Sequence, residues 1–176
     1  MVFIYWFDST GQLSYVFQSD SRIFHGEIWR ALTYAFFHGS IYHLLGNLFT
    51  LFVYGFLVAR YYPMRWWLGG GLLCTIAAGI AVPALTAVPV IGFSGFSYAL
   101  NVMFLTALVR AGRNNQIDDA LGFDPIIAWL LAGVVLFDMA SGLSDPHVSV
   151  LAHVVGASGG LLIGCLAPIM TEPAID

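Results

Sequence analysis

Five long apolar runs, at 41–60, 65–85, 94–110, 125–141 and 148–170, constrain this chain more than any other feature. A helix needs about 20 apolar residues to cross a bilayer, or about 17 at the short end. All five runs reach that length. The chain has 176 residues, 59% of them hydrophobic and 9% charged, against about 25% charged in ordinary soluble domains. So few charges could not cover the outside of a soluble fold, which makes lipid the solvent for most of the surface. The expected fold is an all-α polytopic membrane protein with five full transmembrane helices.

The segments between the runs are polar. Residues 8–40 read as an aromatic loop, 111–124 ("AGRNNQIDDALGFD") as a hydrophilic connector and 142–147 ("GLSDPH") as a short turn. No internal repeat or second domain interrupts the chain. It reads as one membrane domain over 1–176, with a stub and loop at 1–40 and helices over 41–170. The opening "MVFIYWF" is too short to span and lacks the basic start of a signal peptide. It looks like the outer end of a first span. The natural reading frame is therefore expected to extend upstream by roughly 15 apolar residues, completing a span of about 20.

Charge gives an orientation. Arg60 and Arg65 flank the turn after the first run, and Arg110 and Arg113 follow the third. The positive-inside rule makes that side cytoplasmic, so 8–40, 86–93 and 142–147 face outward. Six basic residues against ten acidic ones leave no basic face for nucleic acid. Cys74 and Cys165 lie inside apolar runs without metal or redox spacing.

Polar residues inside such runs are costly and tend to mark function. His43 and Asn47 are four apart on one face of the first run. In the last run His153, Gly156, Gly160 and Gly164 form one stripe, and small residues there admit a neighbouring helix. At 1.5 Å per residue, Ser94 lies about 24 Å above Arg110 and His43 about 26 Å above Arg60. By the same rise, His153 lies about 28 Å above Glu172. Three helices thus deliver Ser94, His153 and the His43/Asn47 pair to one layer.

That layer suits acyl transfer. Ser94 needs a base to act as a nucleophile, and His153 is the candidate. Ser94 also opens a helix, where backbone N–H groups are unpaired. His43 and Asn47 can add side-chain donors for an oxyanion. Gly92 and Gly95 leave room for a substrate backbone, and Tyr98, four after Ser94, can support the His153 ring.

At these residues the sequence resembles the rhomboid family of intramembrane serine proteases. The motifs are "EIWRALTYAFFH" with "YHLLGN", "GFSG" followed by Tyr98, and "AHVVGASGG". The resemblance spans 27 to about 165. It implies Ser94 as nucleophile and His153 as general base in a dyad without a carboxylate. It also implies His43, Asn47 and the Ser94 amide as oxyanion donors, with Tyr98 packed on the catalytic histidine. Glu27, Trp29 and Arg30 match the family's loop motif. The implied fold is a rhomboid-like helical bundle whose first helix is missing or reduced to "MVFIYWF". The implied partners are membrane-anchored protein substrates cut near the extracytoplasmic end of their anchor, usually after a small residue. The implied setting is a bacterial inner membrane, and no cofactor is implied.

Other polar residues have blander roles. Ser97 lacks a following glycine and is the weaker nucleophile candidate. His38 is expected to bond the loop to the helix top, Asp138 to serve as an interface or cap residue, and Arg30 to organise the loop. His25, Asp145 and His147 have no nameable partner. A transporter lined by Ser, His and Asn would spread them through the membrane depth, whereas here they share a layer. A non-catalytic relative should lack Ser94 or His153.

Overall fold

The computed structural model describes residues 12–86, 88–113, 125–144 and 149–170. The opening "MVFIYWF", residues 114–124 of the connector, and Asp145 and His147 lie outside the described residues. Within them the architecture is all-α. Two short helices, α1 (Gln12–Phe17) and α2 (Arg30–Thr33), precede five long ones. These are α3 (Ile41–Tyr61), α4 (Met64–Leu85), α5 (Ser94–Arg113), α6 (Pro125–Ser144) and α7 (Val150–Leu166).

The long helices match the apolar runs, with four differences. Helix α5 runs on to Arg113, at the start of the expected connector. The last run continues to 170, but α7 stops at Leu166 because Pro168 disfavours helical geometry at Ala167, whose φ of −66° and ψ of 141° are extended. Helix α6 continues to Ser144, into the expected turn at 142–147. The expected 8–40 loop is largely folded: it holds α1, α2 and 3-10 turns at Ser21–His25 and Tyr34–Phe36. Arg30 organises that region as expected. It is buried and donates to Glu27, to the Gln18 carbonyl and to the Tyr15 carbonyl.

Among the described residues, α3 and α4 are long and apolar enough to cross a membrane by length and composition. Residues 126–141 and 150–166 form shorter apolar helices. Helix α5 sits in the middle of the bundle, and from Gly95 to Asn101 every residue is buried. Protein rather than lipid surrounds that stretch, so it can carry Ser97 and Asn101 without facing hydrocarbon.

Contacts fix the helix directions. Asn47 meets Ser97 and Tyr54 meets Phe104, so α3 and α5 run parallel. A Cβ at Gly156 would overlap the Gly95 carbonyl, one at Gly160 the Ala99 carbonyl, and one at Gly164 would press on Thr106. Helix α7 therefore also runs parallel to α5, and the glycine stripe is its contact face. Helix α4 runs the other way along α7, with Gly70 against Ile163 and Gly159 against Cys74. The folded loop leans on α4 through Tyr34, whose hydroxyl donates to the Thr75 carbonyl at 2.8 Å, and through Ser19, which donates to the Gly79 carbonyl.

Candidate active site

Three local signals start the helices that carry the polar layer. Ser40 caps α3 by accepting from the His43 backbone N–H at 3.1 Å. Ser149 caps α7 in the same way, accepting from Ala152 at 3.3 Å. These caps hold His43 and His153 within the first turn or so of their helices. Helix α5 follows Gly92, whose φ of 104° is left-handed and whose N–H donates to the Tyr34 carbonyl at 3.0 Å. A side chain there would be strained, and its Cβ would run into the His43 imidazole. Ser94 thus opens α5 with the His43 ring packed against the turn before it.

A cavity of about 250 Å³ collects these residues. Helix α3 lines it with His43 and Asn47, α5 with Ser94 and Tyr98, α6 with Asp138 and α7 with His153. A second cavity of about 390 Å³ shares His43 and Ser94 and continues along the extended segment Val88–Ile91 to Val150. Ser94 therefore stands where two cavities meet. His153 is buried, and its ring stacks on Tyr98 with centroids 3.9 Å apart and planes within 13°. The Tyr98 hydroxyl donates to the Met139 carbonyl at 3.1 Å. One side chain thus braces the imidazole and ties α6 to α5.

The buried Asn47 carboxamide is held at both ends. Its Oδ1 accepts from Ser97 Oγ at 3.0 Å, and its Nδ2 lies 3.0 Å from His38 Nε2. His38 so bonds the loop to α3. Burial chiefly, and the neighbouring His43 second, bring the His38 imidazole down to about 4. It is neutral near pH 7 and able to accept. Asp138 is an interface residue: its carboxylate accepts from Asn101 at 3.3 Å across α5 and α6, and it faces the cavity.

All the expected site residues come together here. Ser94, His153, His43, Asn47 and Tyr98 share the first cavity. Gly92 and Gly95 flank Ser94, while Gly156 and Gly160 bring α7 against α5. Sequence spacing did not reveal the Ser97–Asn47–His38 chain or the exposure of Asp138 to the cavity. Ser97, three residues after Ser94, lies on the same side of α5, which was the available signal. Nothing periodic links His38 to Asn47, because a turn and a cap separate them.

Ser40, Gly92 and Ser149 set the depth of three polar side chains on three parallel helices, and a family model independently covers the same stretch. The model, described as the Rhomboid domain, matches residues 25–168. The chain belongs to the rhomboid family. Searches of curated proteins and of solved structures return no match. Rhomboid proteins are membrane proteins, and most are serine proteases that act on membrane proteins within the bilayer; inactive variants also occur. The matched stretch takes in every residue of the cavity just described and the whole of α7, and the all-α bundle agrees with it.

Proposed function

We propose that this rhomboid protein is an active intramembrane serine endopeptidase that cuts membrane-anchored proteins in or near their transmembrane segment. The observation that carries the proposal is the shared cavity, in which Ser94 opens α5 and the Tyr98-braced His153 lines the same wall.

Ser94 Oγ attacks the substrate carbonyl carbon while its proton passes to His153. The carbonyl π bond opens, and negative charge gathers on its oxygen. Asn47, His43 and the Ser94 backbone N–H are the donors for that oxyanion, already oriented before reaction. The N-terminal position of Ser94 adds the positive end of the α5 dipole. The protonated imidazole then gives its proton to the leaving amine, and an acyl-enzyme remains. Water, deprotonated by His153, attacks the ester carbon. The bond from that carbon to Ser94 Oγ breaks, Oγ takes the proton back from His153, and the carboxylic acid product leaves. Gly92 and Gly95 keep side chains away from the approaching substrate backbone. Nothing in this sequence of steps calls for a cofactor.

Arginine distribution supports an active site near the extracytoplasmic face of a bacterial inner membrane. Arg60 and Arg110 occupy the far ends of α3 and α5 from the cavity, where the positive-inside rule expects the cytoplasm.

The test is labelling of detergent-solubilised protein by a fluorophosphonate, with cleavage of single-pass membrane proteins in liposomes measured alongside. Wild type should label at one serine and cleave. Ser94→Ala should abolish both, and His153→Ala should lower both by several orders of magnitude, since nucleophile and base act as a unit. Labelling that persists in Ser94→Ala would sink Ser94 as the nucleophile, and a wild-type protein that neither labels nor cleaves would make the chain a non-catalytic rhomboid.

A further inference from the structure

Ser97 is the weaker nucleophile candidate, yet it is buried, polar and hydrogen-bonded to a proposed oxyanion donor. A hydroxyl on a buried helix face is most simply satisfied by its own helix, through the carbonyl four residues back. Ser97 has that option in Phe93 O, but at 3.4 Å, and this carbonyl already accepts from the Phe96 and Ser97 backbone N–H groups. Its shorter bond, at 3.0 Å, runs out of the helix to Asn47 Oδ1 on α3.

We propose that Ser97 is a positioning residue that, together with His38, fixes which way the Asn47 carboxamide faces. The inference rests on the protease assignment above. A carboxamide has an acceptor end and a donor end, and rotation by half a turn exchanges them. Ser97 holds the oxygen end, while His38 Nε2 holds one N–H of the nitrogen end at 3.0 Å. That leaves the second N–H free to serve the cavity that Asn47 lines together with Ser94 and His43. Turned over, the same side chain would offer a carbonyl oxygen where the oxyanion forms, and two negative oxygens would repel. His38 remains an acceptor while neutral, and its low pKa keeps it so at working pH.

Fixing the carboxamide matters because an oxyanion hole gains its effect from donors that need no reorganisation at the moment of reaction. Removing the Ser97 hydroxyl leaves Asn47 Oδ1 without that partner and frees the carboxamide to turn. The loss should appear in the chemical step and not in binding.

Inactivation by a fluorophosphonate reads that step without a known substrate. Ser94 Oγ bonds to phosphorus, fluoride leaves, the proton goes to His153, and the phosphoryl oxygen occupies the oxyanion position. Ser97→Ala should lower the limiting inactivation rate by roughly tenfold, less than the about hundred- to thousandfold loss of an oxyanion donor itself, because Asn47 is still present. The half-saturating probe concentration should stay within about twofold, as expected when only transition-state contacts change. In an Asn47→Ala background, Ser97→Ala should cost nothing further. Should Ser97→Ala not fold, Ser97→Cys keeps the side chain's volume with a weaker donor and should show a smaller loss of the same kind. An undiminished rate in a folded Ser97 variant, or a loss that adds fully to that of Asn47→Ala, would overturn the proposal. Wild-type protein that does not label at Ser94 at all would instead overturn the protease assignment, and this inference with it.

Discussion

Neutral His38 is the residue on which pH acts most directly. Its imidazole accepts from Asn47 Nδ2, and its folded pKa of about 4 lies below the ordinary 6.5. The unfolded chain therefore takes up a proton first as pH falls. Stability is fully present above about 6.5 and is lost progressively as pH drops toward 4, where the folded form also protonates. His38→Gln keeps an acceptor near Asn47 but does not titrate. Thermal unfolding in detergent should show wild type losing more melting temperature between pH 7 and pH 5 than His38→Gln. Equal losses would mean that His38 is not held neutral by the fold. Asp20 in the folded loop shifts the same way for a different reason: the Arg22 guanidinium beside it holds its carboxyl well below the usual range, so its contribution too is lost as pH falls.

Among the helices, the parallel course of α3, α5 and α7 brings three N-terminal ends to one layer. Each end carries unpaired backbone donors and a positive dipole end, which suits a site where negative charge develops. That convergence depends on backbone-to-backbone approach of α5 and α7. At Gly156 a single methyl would overlap the Gly95 carbonyl, which belongs to backbone and cannot swing aside. Gly156→Ala should therefore cost about 1–3 kcal/mol, as overpacking does, and should slow Ser94 labelling by shifting His153. Gly133 in α6 has nothing within 4 Å of its added Cβ. Gly133→Ala should keep activity and raise stability by up to about 1 kcal/mol through helix propensity. Melting temperature and labelling rate of the two variants check this directly. A fully stable, active Gly156→Ala protein would show that the helices do not approach so closely.

For the molecule as a whole, the end of the bundle far from the cavity is tied by polar contacts where α7 stops short. Arg110 on α5 donates to the Gly164 carbonyl at 2.5 Å and to the Ala167 carbonyl at 2.8 Å. The Tyr62 hydroxyl donates to Gly164 as well, and the Met170 N–H returns to the Tyr61 carbonyl. These bonds satisfy carbonyls that a helix C-terminus leaves open, and a cation is favourable there. Arg110 thus ties α5 to α7, and Tyr61 and Tyr62 tie the end of α3 to the same place, while Arg110 also contributes to the charge asymmetry of the ends. Arg110→Met should lower stability by about 2 kcal/mol, the scale of a charged hydrogen bond. At low temperature its labelling rate should stay near wild type, because about 24 Å of helix separates Arg110 from Ser94. A large activity loss without a fall in melting temperature would contradict that division between the two ends.

The sequence by itself determined the helices and their depth. Apolar length set α3 to α7 to within a few residues, and even the early stop of α7 had a local cause in Pro168. Counting residues along each helix brought Ser94, His43, Asn47 and His153 to one level, because every residue adds the same 1.5 Å of rise. Only the tertiary structure decided how the helices turn toward one another. The Asn47 bonds to Ser97 and His38 and the place of Asp138 on the cavity wall are of this kind. So is the docking of the folded loop on α4 through Tyr34 and Ser19. The Tyr98 support of His153, by contrast, was legible from its place four residues after Ser94. Rise along an axis accumulates from local geometry, whereas the rotation of one helix against another follows from side chains packing across the whole interface.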